Sequence, residues 1–591
     1  MTKASPFSLV GFGDQLTILA IPPLLLFLII FPISLLVFIG FSLAGLKKYE
    51  SFTILLLPSI LVGCAAFLLI DNFTYTIFGF NAGTYADWRR YFYLLGFLLI
   101  LWFVFNQLKS VLVHENFAKF ESKISGVLAS VLLVSVFVCI TKSSGSDLDV
   151  LDVQSSKLQK PNIIIFSSDG LRAKSMSAYG YKRNTTPFIK SLLPESLVFE
   201  NHFANSAKTT GSVLSMLSGK LPTTTRVIFR PDVFTGRHVY QHLPAILRKL
   251  GYYNADISVR HYVDAYDINM RDGFDLANNR MVPRKSALKL PPQYQESFGL
   301  TALFVKETSQ RIIDRLKHIS GIKDYHNPFK EVTALDHTSR GTDEQRLADL
   351  KKFVKESPRP FFASVHMLNT HGKIFHFRDR KFSKGRKKQP AWDQDFYDDA
   401  ILNFDIYVKE LVEVLKEEGL WENTIFVINS DHGMRWSTTE AIPLIIRFPK
   451  GAHVGRVTQN TQRIDIAPTL LDYVGAKIPD WMEGISLLSP EREKPRNIFV
   501  GNRAKSKTIN GWREVPNPKA PFYTLGSLIL IRCNQWFALS MAHNEMDERR
   551  IDGHTAPCKS DELIGKEKAK SLMLHHLSER NYDVSTIALK D

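Results

Sequence analysis

Cysteine is scarce in this chain, with four residues among 591. So few cysteines exclude a disulfide scaffold as the basis of the fold. Cys64 and Cys139 lie inside apolar runs, where a thiol behaves as a small hydrophobic group. Cys533 and Cys558 lie in the polar part of the chain, where an oxidising compartment would permit a bridge. Their spacing alone leaves open whether they are paired.

Charged residues are missing from four stretches before residue 142, at Leu16–Leu46, 53–70, 91–106 and 125–141. A run of about eighteen apolar residues is enough to cross a bilayer core of about 30 Å. Four such runs in succession argue against buried core helices and against a cleaved signal peptide. The sequence therefore predicts a transmembrane helix bundle of about four spans over residues 1–142.

Basic residues near these runs indicate the orientation of the bundle. Those beside the first and last runs are Lys47, Lys48, Lys109, Lys119 and Lys123. The positive-inside rule assigns them to the cytoplasm, which places the chain after residue 142 on the opposite side of the membrane. Arg89 and Arg90 fall on the wrong side in this arrangement, so the span count stays open.

Acidic residues are in deficit, and the formal net charge is +16. Residues 1–150 contain nine basic and eight acidic residues, which leaves +15 for residues 151–591. This excess favours anionic partners, such as lipid headgroups or acidic glycans. Nucleic acid fits poorly with an exterior domain tethered to a membrane, and we expect no such partner.

The polar part of the chain begins with a Ser- and Asp-rich linker at 143–160. PNIIIFSSDGLR at 161–172 then has the pattern of a buried strand that ends in a functional loop. Strand-like and helical patterns alternate from there, which predicts an α/β sheet with helices on its faces. Asp169, His366 and Asp431 each lie at or near the end of an apolar strand. Such strand ends converge on one crevice in α/β folds.

The sequence SDHG at 430–433 places Asp431 beside His432. A lone Asp-His pair is most often a polar loop. Together with Asp169, however, the pair forms a set of two oxygens and one nitrogen suited to a divalent metal. Zinc or manganese is the expected ion, with calcium and magnesium as the other candidates. A metal here would activate a hydroxyl nucleophile and polarise an ester oxygen.

Six segments, in order, carry a resemblance to a known family. They lie at 162–192, 199–222, 251–261, 397–433, 440–451 and 464–479. The first holds a strand, an Asp, and then Tyr-Gly-Tyr and Thr-Pro. This order resembles the sulfatase family of the alkaline phosphatase superfamily. The resemblance implies a catalytic domain over 161–490 with a central, mostly parallel sheet sandwiched by helices. It also implies a C-terminal subdomain over 491–591.

Thr209 occupies the position of the family's nucleophile, ten residues before Gly219. Sulfatases carry Cys or Ser there in a C/S-x-P-x-R box, which is matured to an aldehyde hydrate. Here both the Pro and the Arg are absent, and threonine cannot form that aldehyde. By itself Thr209 is most simply a helix-capping threonine. Within the family pattern it resembles the nucleophile of phosphoethanolamine transferases and of lipoteichoic acid synthase-type phosphoglycerol transferases.

That resemblance implies a specific reaction. Thr209, as a fourth metal ligand, would take a phospho-alcohol from a membrane phospholipid and pass it to an anionic glycan or lipid acceptor. Such enzymes are multi-pass proteins of the bacterial cytoplasmic (inner) membrane with a periplasmic or extracellular catalytic domain. Two other functions stay open: a hydrolase of sulfate or phosphate esters, and a non-catalytic sensor that binds lipid.

Further site residues follow from the same resemblance. Lys208 matches the Lys-Thr pair of the phosphoglycerol branch. HMLNTHGKI at 366–374 is similar to a His-x-x-x-x-His-Gly segment, in which His371 faces the substrate. His371 would bind a phosphoryl oxygen or protonate the leaving alkoxide. His366 is either a substrate-binding residue or a packed strand residue. His261 aligns with an active-site histidine, although the usual Lys two residues earlier is Val259.

The segment 373–388 carries eight basic residues and one acid. Such runs are usually solvated, mobile loops. Its position just after His371 equally suggests a surface that binds an anionic lipid or acceptor.

Overall fold

The computed structural model describes most of the chain after residue 160 and parts of the apolar N-terminal region. The described residues are 12–46, 89–113, 160–229, 232–259, 262–265, 268–282, 298–306, 342–503, 505–508, 511–514, 524–541, 545–555, 558–559 and 561–587, with short stretches at 55, 59–60, 62–67, 70, 130, 133, 294 and 309. The chain divides into two compact units. One holds 1–9, 149–289 and 328–591, and the other holds 10–148 and 290–327.

The unit that holds 10–148 contains two long helices, α1 (Phe12–Leu43) and α2 (Arg89–Val113). Among the described residues, Tyr91–Ser110 of α2 forms one helix long and apolar enough to cross a membrane. One such helix is weak support for an anchor. The apolar run at 53–70 is described only in part, and the run at 125–141 and the linker 143–160 fall almost entirely outside the described residues. The bundle of four spans over 1–142 therefore remains a prediction.

The other unit contains a central sheet, a smaller sheet and a hairpin, with helices around them. Its α-helices are α3 (Pro187–Leu192), α4 (Thr209–Ser218), α5 (Pro222–Thr225), α6 (Leu243–Lys249), α7 (Asp343–Glu356), α8 (Gln394–Glu417), α9 (Ile466–Tyr473) and α10 (Lys566–Ser578). Its strands are β1 (Asn162–Ser168), β2 (Leu197–Phe203), β3 (Tyr253–Ile257), β4 (Leu276–Ala277), β5 (Arg280–Met281), β6 (Phe361–Met367), β7 (Thr424–Ser430), β8 (Ile442–Arg447), β9 (Gly455–Gln462), β10 (Ile498–Arg503), β11 (Lys505–Thr508), β12 (Gly511–Glu514), β13 (Leu525–Arg532), β14 (Gln535–Ser540) and β15 (Glu545–Arg550).

The central sheet has the strand order β5-β4-β3-β6-β1-β7-β8-β2-β9. Strands β3, β6, β1 and β7 at its centre are parallel. Strand β8 is antiparallel to both of its neighbours. Only residues 431–441 connect β7 to β8, which is too short for the crossover that a parallel pair requires. The sheet is thus mixed: the expected mostly parallel arrangement is present at its centre, and β8 runs antiparallel within it.

Helices cover both faces of this sheet. Every residue of β1 is buried, and its side chains alternate between two cores. Ile163 and Ile165 pack into a cluster that includes residues of α4, α6 and α9. Ile164 and Phe166 pack into a second cluster with α3, α7 and α8. Helices on both faces confirm the α/β sandwich. A strand that is buried on both sides has a continuous apolar sequence, as β1 does.

The basic segment 373–388 has an ordered backbone. The carboxylate of Asp399, on α8, accepts hydrogen bonds from the backbone N–H groups of Lys381, Phe382 and Ser383 at 2.7 to 3.0 Å. Arg386 forms ion pairs with acids at the start of α8, at 2.7 and 2.9 Å. Part of the positive charge is therefore compensated within the protein. Binding of an anionic lipid or acceptor to this segment remains a prediction.

Strands β10, β13, β14 and β15 form a second, antiparallel sheet on which α10 packs. It lies where the C-terminal subdomain is expected, although the boundary at residue 490 remains a prediction. A disulfide joins Cys533, at the β13–β14 turn, to Cys558. The bridge left open by the sequence is therefore present.

We expect Cys558→Ser to lower the free energy of unfolding of the full-length protein by about 2–4 kcal/mol, because the bridge closes a loop between residues 25 positions apart. Urea denaturation with and without a thiol reductant measures this loss. Reductant should destabilise the wild-type protein to the level of the variant and leave the variant unchanged. Equal midpoints for oxidised wild type and variant would contradict a stabilising bridge.

Candidate active site

Three neighbouring parallel strands deliver the candidate metal ligands to one edge of the central sheet. Asp169 follows β1 directly, and Asp431 follows β7 directly. The strand register pairs Ser168 with Ser430, so the two acids leave the sheet at the same level. His366 is the penultimate residue of β6 on the other side of β1. Side-chain atoms of Asp169, His366 and Asp431 all lie within 4.8 Å of one another.

Hydrogen bonds fix the orientation of Asp431 and His432. Asp431 Oδ1 accepts hydrogen bonds from the backbone N–H groups of Gly170 at 3.0 Å and His432 at 2.9 Å. The His432 Nδ1 lies 2.9 Å from the carbonyl oxygen of Gly433. A proton on Nδ1 makes this a hydrogen bond and leaves the lone pair on Nε2. This is the tautomer that a metal-ligating histidine adopts.

Among the described residues, the buried side chains of Asp169, Asp431 and His432 each have one atom that lacks a hydrogen-bond partner: Asp169 Oδ1, Asp431 Oδ2 and His432 Nε2. These same atoms face one another. The His432 Nε2 lies 3.6 Å from Asp169 Oδ1 and 3.3 Å from Asp431 Oδ2. Two buried carboxylate oxygens and an imidazole lone pair that lack hydrogen-bond partners are costly without a cation. The donor set therefore fits a divalent metal, as the sequence predicts; the identity of the ion stays a proposal.

The second oxygen of Asp169 contacts the predicted nucleophile. Thr209 Oγ1 lies 3.1 Å from Asp169 Oδ2, and His366 Nε2 lies 3.2 Å from the same oxygen. Burial opposes ionisation of Asp169, but the imidazoles of His371, His366 and His432 outweigh it and hold the pKa of Asp169 below its usual range. The carboxylate is thus charged at neutral pH and placed against the hydroxyl of Thr209.

Thr209 is the first residue of α4, and its side chain is buried. The free N–H groups and dipole of a helix N-terminus favour anions, so this position suits both an alkoxide and an anionic ester. Gly211, two residues on, lets a loop approach closely. A Cβ at this position would lie 2.7 Å from the carbonyl oxygen of Ile228.

Three further predicted residues are His371, Lys208 and His261. His371 lies close to the ligands, since its Cα is 4.0 Å from a Cβ built on Gly170, and the His432 ring is 3.8 Å from the same point. Lys208 precedes Thr209 and lies over the rings of Phe229 and Trp436, with its Nζ 5.1 Å from each centroid. His261 lies outside the described residues, so its role remains a prediction.

The structure places His366 in the ligand cluster, where the sequence left it between substrate binding and packing. It also adds Arg463, which sequence reasoning missed. Its side chain is fully buried, and Nε donates to the carbonyl oxygen of Ser212 on α4 at 3.3 Å. Its guanidinium also donates to the carbonyl oxygen of Ser430. No signal in the linear sequence separates this arginine from the many exposed ones.

The profile of the Sulfatase family matches residues 161–476, which include all of the described site. The chain belongs to the sulfatase family. It is 22% identical over 505 residues to an N-acetylglucosamine-6-O-sulfatase of Bacteroides thetaiotaomicron, covering 71% of this chain and 86% of that protein. It is 23% identical over 357 residues to an arylsulfatase of Hemicentrotus pulcherrimus, covering 54% of this chain and 60% of the relative.

Among solved structures, a phosphonate monoester hydrolase of Agrobacterium radiobacter matches with a TM-score of 0.44 and 17% identity, covering 72% of this chain and 97% of the other. The family match and the curated relatives show that the protein is an enzyme of the sulfatase family. They support the hydrolase alternative better than the expected membrane-anchored phosphotransferase.

Proposed function

We propose that this sulfatase-family enzyme is a metal-dependent hydrolase of sulfate or phosphate esters with Thr209 as its nucleophile. One observation carries the proposal: the Thr209 hydroxyl contacts Asp169, whose other oxygen belongs to a trio of buried, unpaired ligand atoms. When bound there by Asp169, Asp431 and His432, with His366 adjacent, a divalent metal lowers the pKa of the hydroxyl and polarises the ester.

The reaction has two stages. In the first, the Thr209 hydroxyl releases its proton to solvent, and its oxygen forms a bond to sulfur or phosphorus while the bond from that atom to the alcohol oxygen breaks. His371 would protonate the departing alcohol. In the second, water attacks the sulfur or phosphorus, releases sulfate or phosphate, and returns the proton to the Thr209 oxygen. The aldehyde hydrate of other sulfatases has no counterpart here, because threonine cannot supply it.

A second candidate is transfer of a phospho-alcohol from a membrane phospholipid. The apolar helix α2 favours it, since an anchored enzyme would have a lipid donor within reach. Hydrolysis and transfer share the first stage and differ only in whether water or another hydroxyl accepts the group. Localisation at the cytoplasmic membrane, with an anionic glycan or lipid acceptor, belongs to this second proposal.

A substrate panel separates these functions. Full-length protein, loaded with zinc or manganese, is assayed on 4-nitrophenyl sulfate, 4-nitrophenyl phosphate and bis(4-nitrophenyl) phosphate, with and without phosphatidylethanolamine and phosphatidylglycerol vesicles. Turnover of any ester without vesicles supports the hydrolase. Release of diacylglycerol that depends on an added acceptor, with no ester hydrolysis, supports the transferase. A metal-free, inert protein that binds the vesicles would favour the sensor and contradict both.

A further inference from the structure

Beside the candidate active site, two tryptophans and an arginine form a corner that the proposed chemistry does not use. The rings of Trp392 and Trp436 are 5.5 Å apart and nearly perpendicular, at 79°. The guanidinium of Arg435 lies 5.5 Å from the Trp392 ring. We refer to Trp392, Arg435 and Trp436 as the indole corner. Both tryptophans are partly exposed to solvent.

All three residues of the indole corner have a left-handed backbone, with φ of 62° at Trp392, 60° at Arg435 and 61° at Trp436. Bulky side chains rarely adopt this conformation, and such strain is concentrated at functional sites. The surrounding structure enforces it. Gly433 N–H donates to the carbonyl oxygen of Ser437 at 2.8 Å and closes the loop that carries two of the three residues.

The indole corner adjoins the catalytic residues. Arg435 and Trp436 follow His432 in the same short loop. The ring of Trp436 lies 6.0 Å from that of His371, the proposed acid for the leaving alcohol. Lys208, which immediately precedes Thr209 in the sequence, has its Nζ 5.1 Å from the centroid of the same ring. The indole corner therefore lies on the side of the site where the leaving alcohol would meet its proposed acid.

We propose that the indole corner is a stacking subsite that selects esters of cyclic alcohols, namely sugar sulfates or sugar phosphates. This inference rests on the proposed function and names its substrate class. A pyranose ring has a flat face of C–H groups that packs against an indole, and its polar rim suits the neighbouring Lys208 and Arg435. An open-chain alcohol presents no flat face to either indole ring. The partial exposure of both rings suits an alcohol that continues into a longer glycan.

Paired substrates test the proposal. D-glucose 6-sulfate and ethyl sulfate, or the corresponding phosphates, share the reacting group and differ in the ring. Trp436→Ala should lower kcat/KM for the glucose ester about 10- to 100-fold, since stacking against one aromatic ring contributes this range, and change it less than about 2-fold for the ethyl ester. Trp436→Phe, which keeps a flat face, should retain most of the preference. Equal losses on both esters would contradict the inference.

Trp481→Ala is the matched control. Its ring is partly exposed and carries Lys220 Nζ at 4.6 Å, the same cation–indole arrangement at a different place. With folding checked by circular dichroism, this variant should keep the wild-type preference for the glucose ester. A loss of preference equal to that of Trp436→Ala would show that the effect is not local to the indole corner.

A binding measurement distinguishes failure of this inference from failure of the proposed function. Thr209→Ala protein is mixed with D-glucose 6-phosphate and examined by saturation-transfer difference NMR. A saturation signal on the sugar ring protons supports the subsite if it disappears in the double variant Thr209→Ala, Trp436→Ala. This result would support the subsite even if no ester is ever cleaved. Hydrolysis of ethyl and glucose esters at equal rates, with no such saturation, would overturn the subsite and leave the hydrolase standing.

Discussion

Thr209→Ala is expected to reduce kcat on the cleaved ester by about 10³-fold or more, since it removes the only atom that forms the covalent bond. Thr209→Ser keeps a hydroxyl at the same helix N-terminus and should retain activity within about 10-fold. Steady-state kinetics with saturating metal measure both. After rapid acid quench, intact-mass analysis of the wild type should show a sulfo or phospho adduct that is absent from Thr209→Ala.

The chain offers a matched control one residue away. Thr210 is also buried in the first turn of α4, but its Oγ1 donates to the carbonyl oxygen of Tyr262 at 2.8 Å and not to a candidate ligand. Thr210→Ala should therefore leave kcat within a few-fold of wild type. Substantial turnover by Thr209→Ala on the substrate that wild type prefers would show that another group, or water, attacks the ester.

Asp431→Asn is expected to cause the second large effect, the loss of bound metal. The substitution keeps the side-chain shape but removes a negative charge and replaces one acceptor oxygen with a donor. Bound metal, measured by elemental analysis after dialysis, should fall from about one ion per chain to a small fraction, and kcat/KM by about 10²-fold or more. Chelation of the wild-type protein should reproduce the loss of activity, and metal should restore it.

Asp405→Asn provides the comparison for Asp431→Asn. Asp405 is a buried acid that accepts hydrogen bonds from the N–H groups of Phe188 and Ile189 at 3.0 and 2.7 Å, and burial raises its pKa to about 6. It lies away from the candidate ligands, so metal content and kcat should be unchanged.

Thermal unfolding adds an independent reading of the metal site. Metal should raise the melting temperature of the wild type and of Asp405→Asn but not that of Asp431→Asn, because an ion that binds only the folded state stabilises it. An unchanged metal content in Asp431→Asn would remove Asp431 from the ligand set.

The hydrolase and the transferase place different demands on the same site. Both need a nucleophile, metal ligands and an acid for the leaving alcohol, and the described residues offer a candidate for each. The transferase needs in addition a lipid donor and a route for a second hydroxyl. The indole corner favours a ring on the side of the leaving alcohol. In a phospholipid donor that alcohol is diacylglycerol, which has no ring. The substrate panel and the paired esters therefore both distinguish the hydrolase from the transferase.

His366 shows where sequence reasoning reached its limit. It lies in β6, and every residue of this strand is buried. Alternation between buried and exposed positions normally reveals which face a residue occupies, but a strand covered on both sides gives no such signal. Only the register of β6 against β1, with Ser167 opposite His366, places the imidazole against Asp169.

By itself the sequence predicted the α/β class and the candidate ligands Asp169 and Asp431, because both acids follow apolar strands and this local pattern can be read without the fold. Thr209 was predicted from the family resemblance, since alone it has the pattern of a helix-capping threonine. The tertiary structure alone decided that β8 is antiparallel, that Cys533 and Cys558 are joined, and that His366, Arg463 and the indole corner lie beside the candidate site residues. Contacts between distant segments depend on register and on loop conformation. The left-handed backbone of Trp436 beside His371 cannot be predicted from the sequence pattern, because contacts with residues far away in the chain impose it.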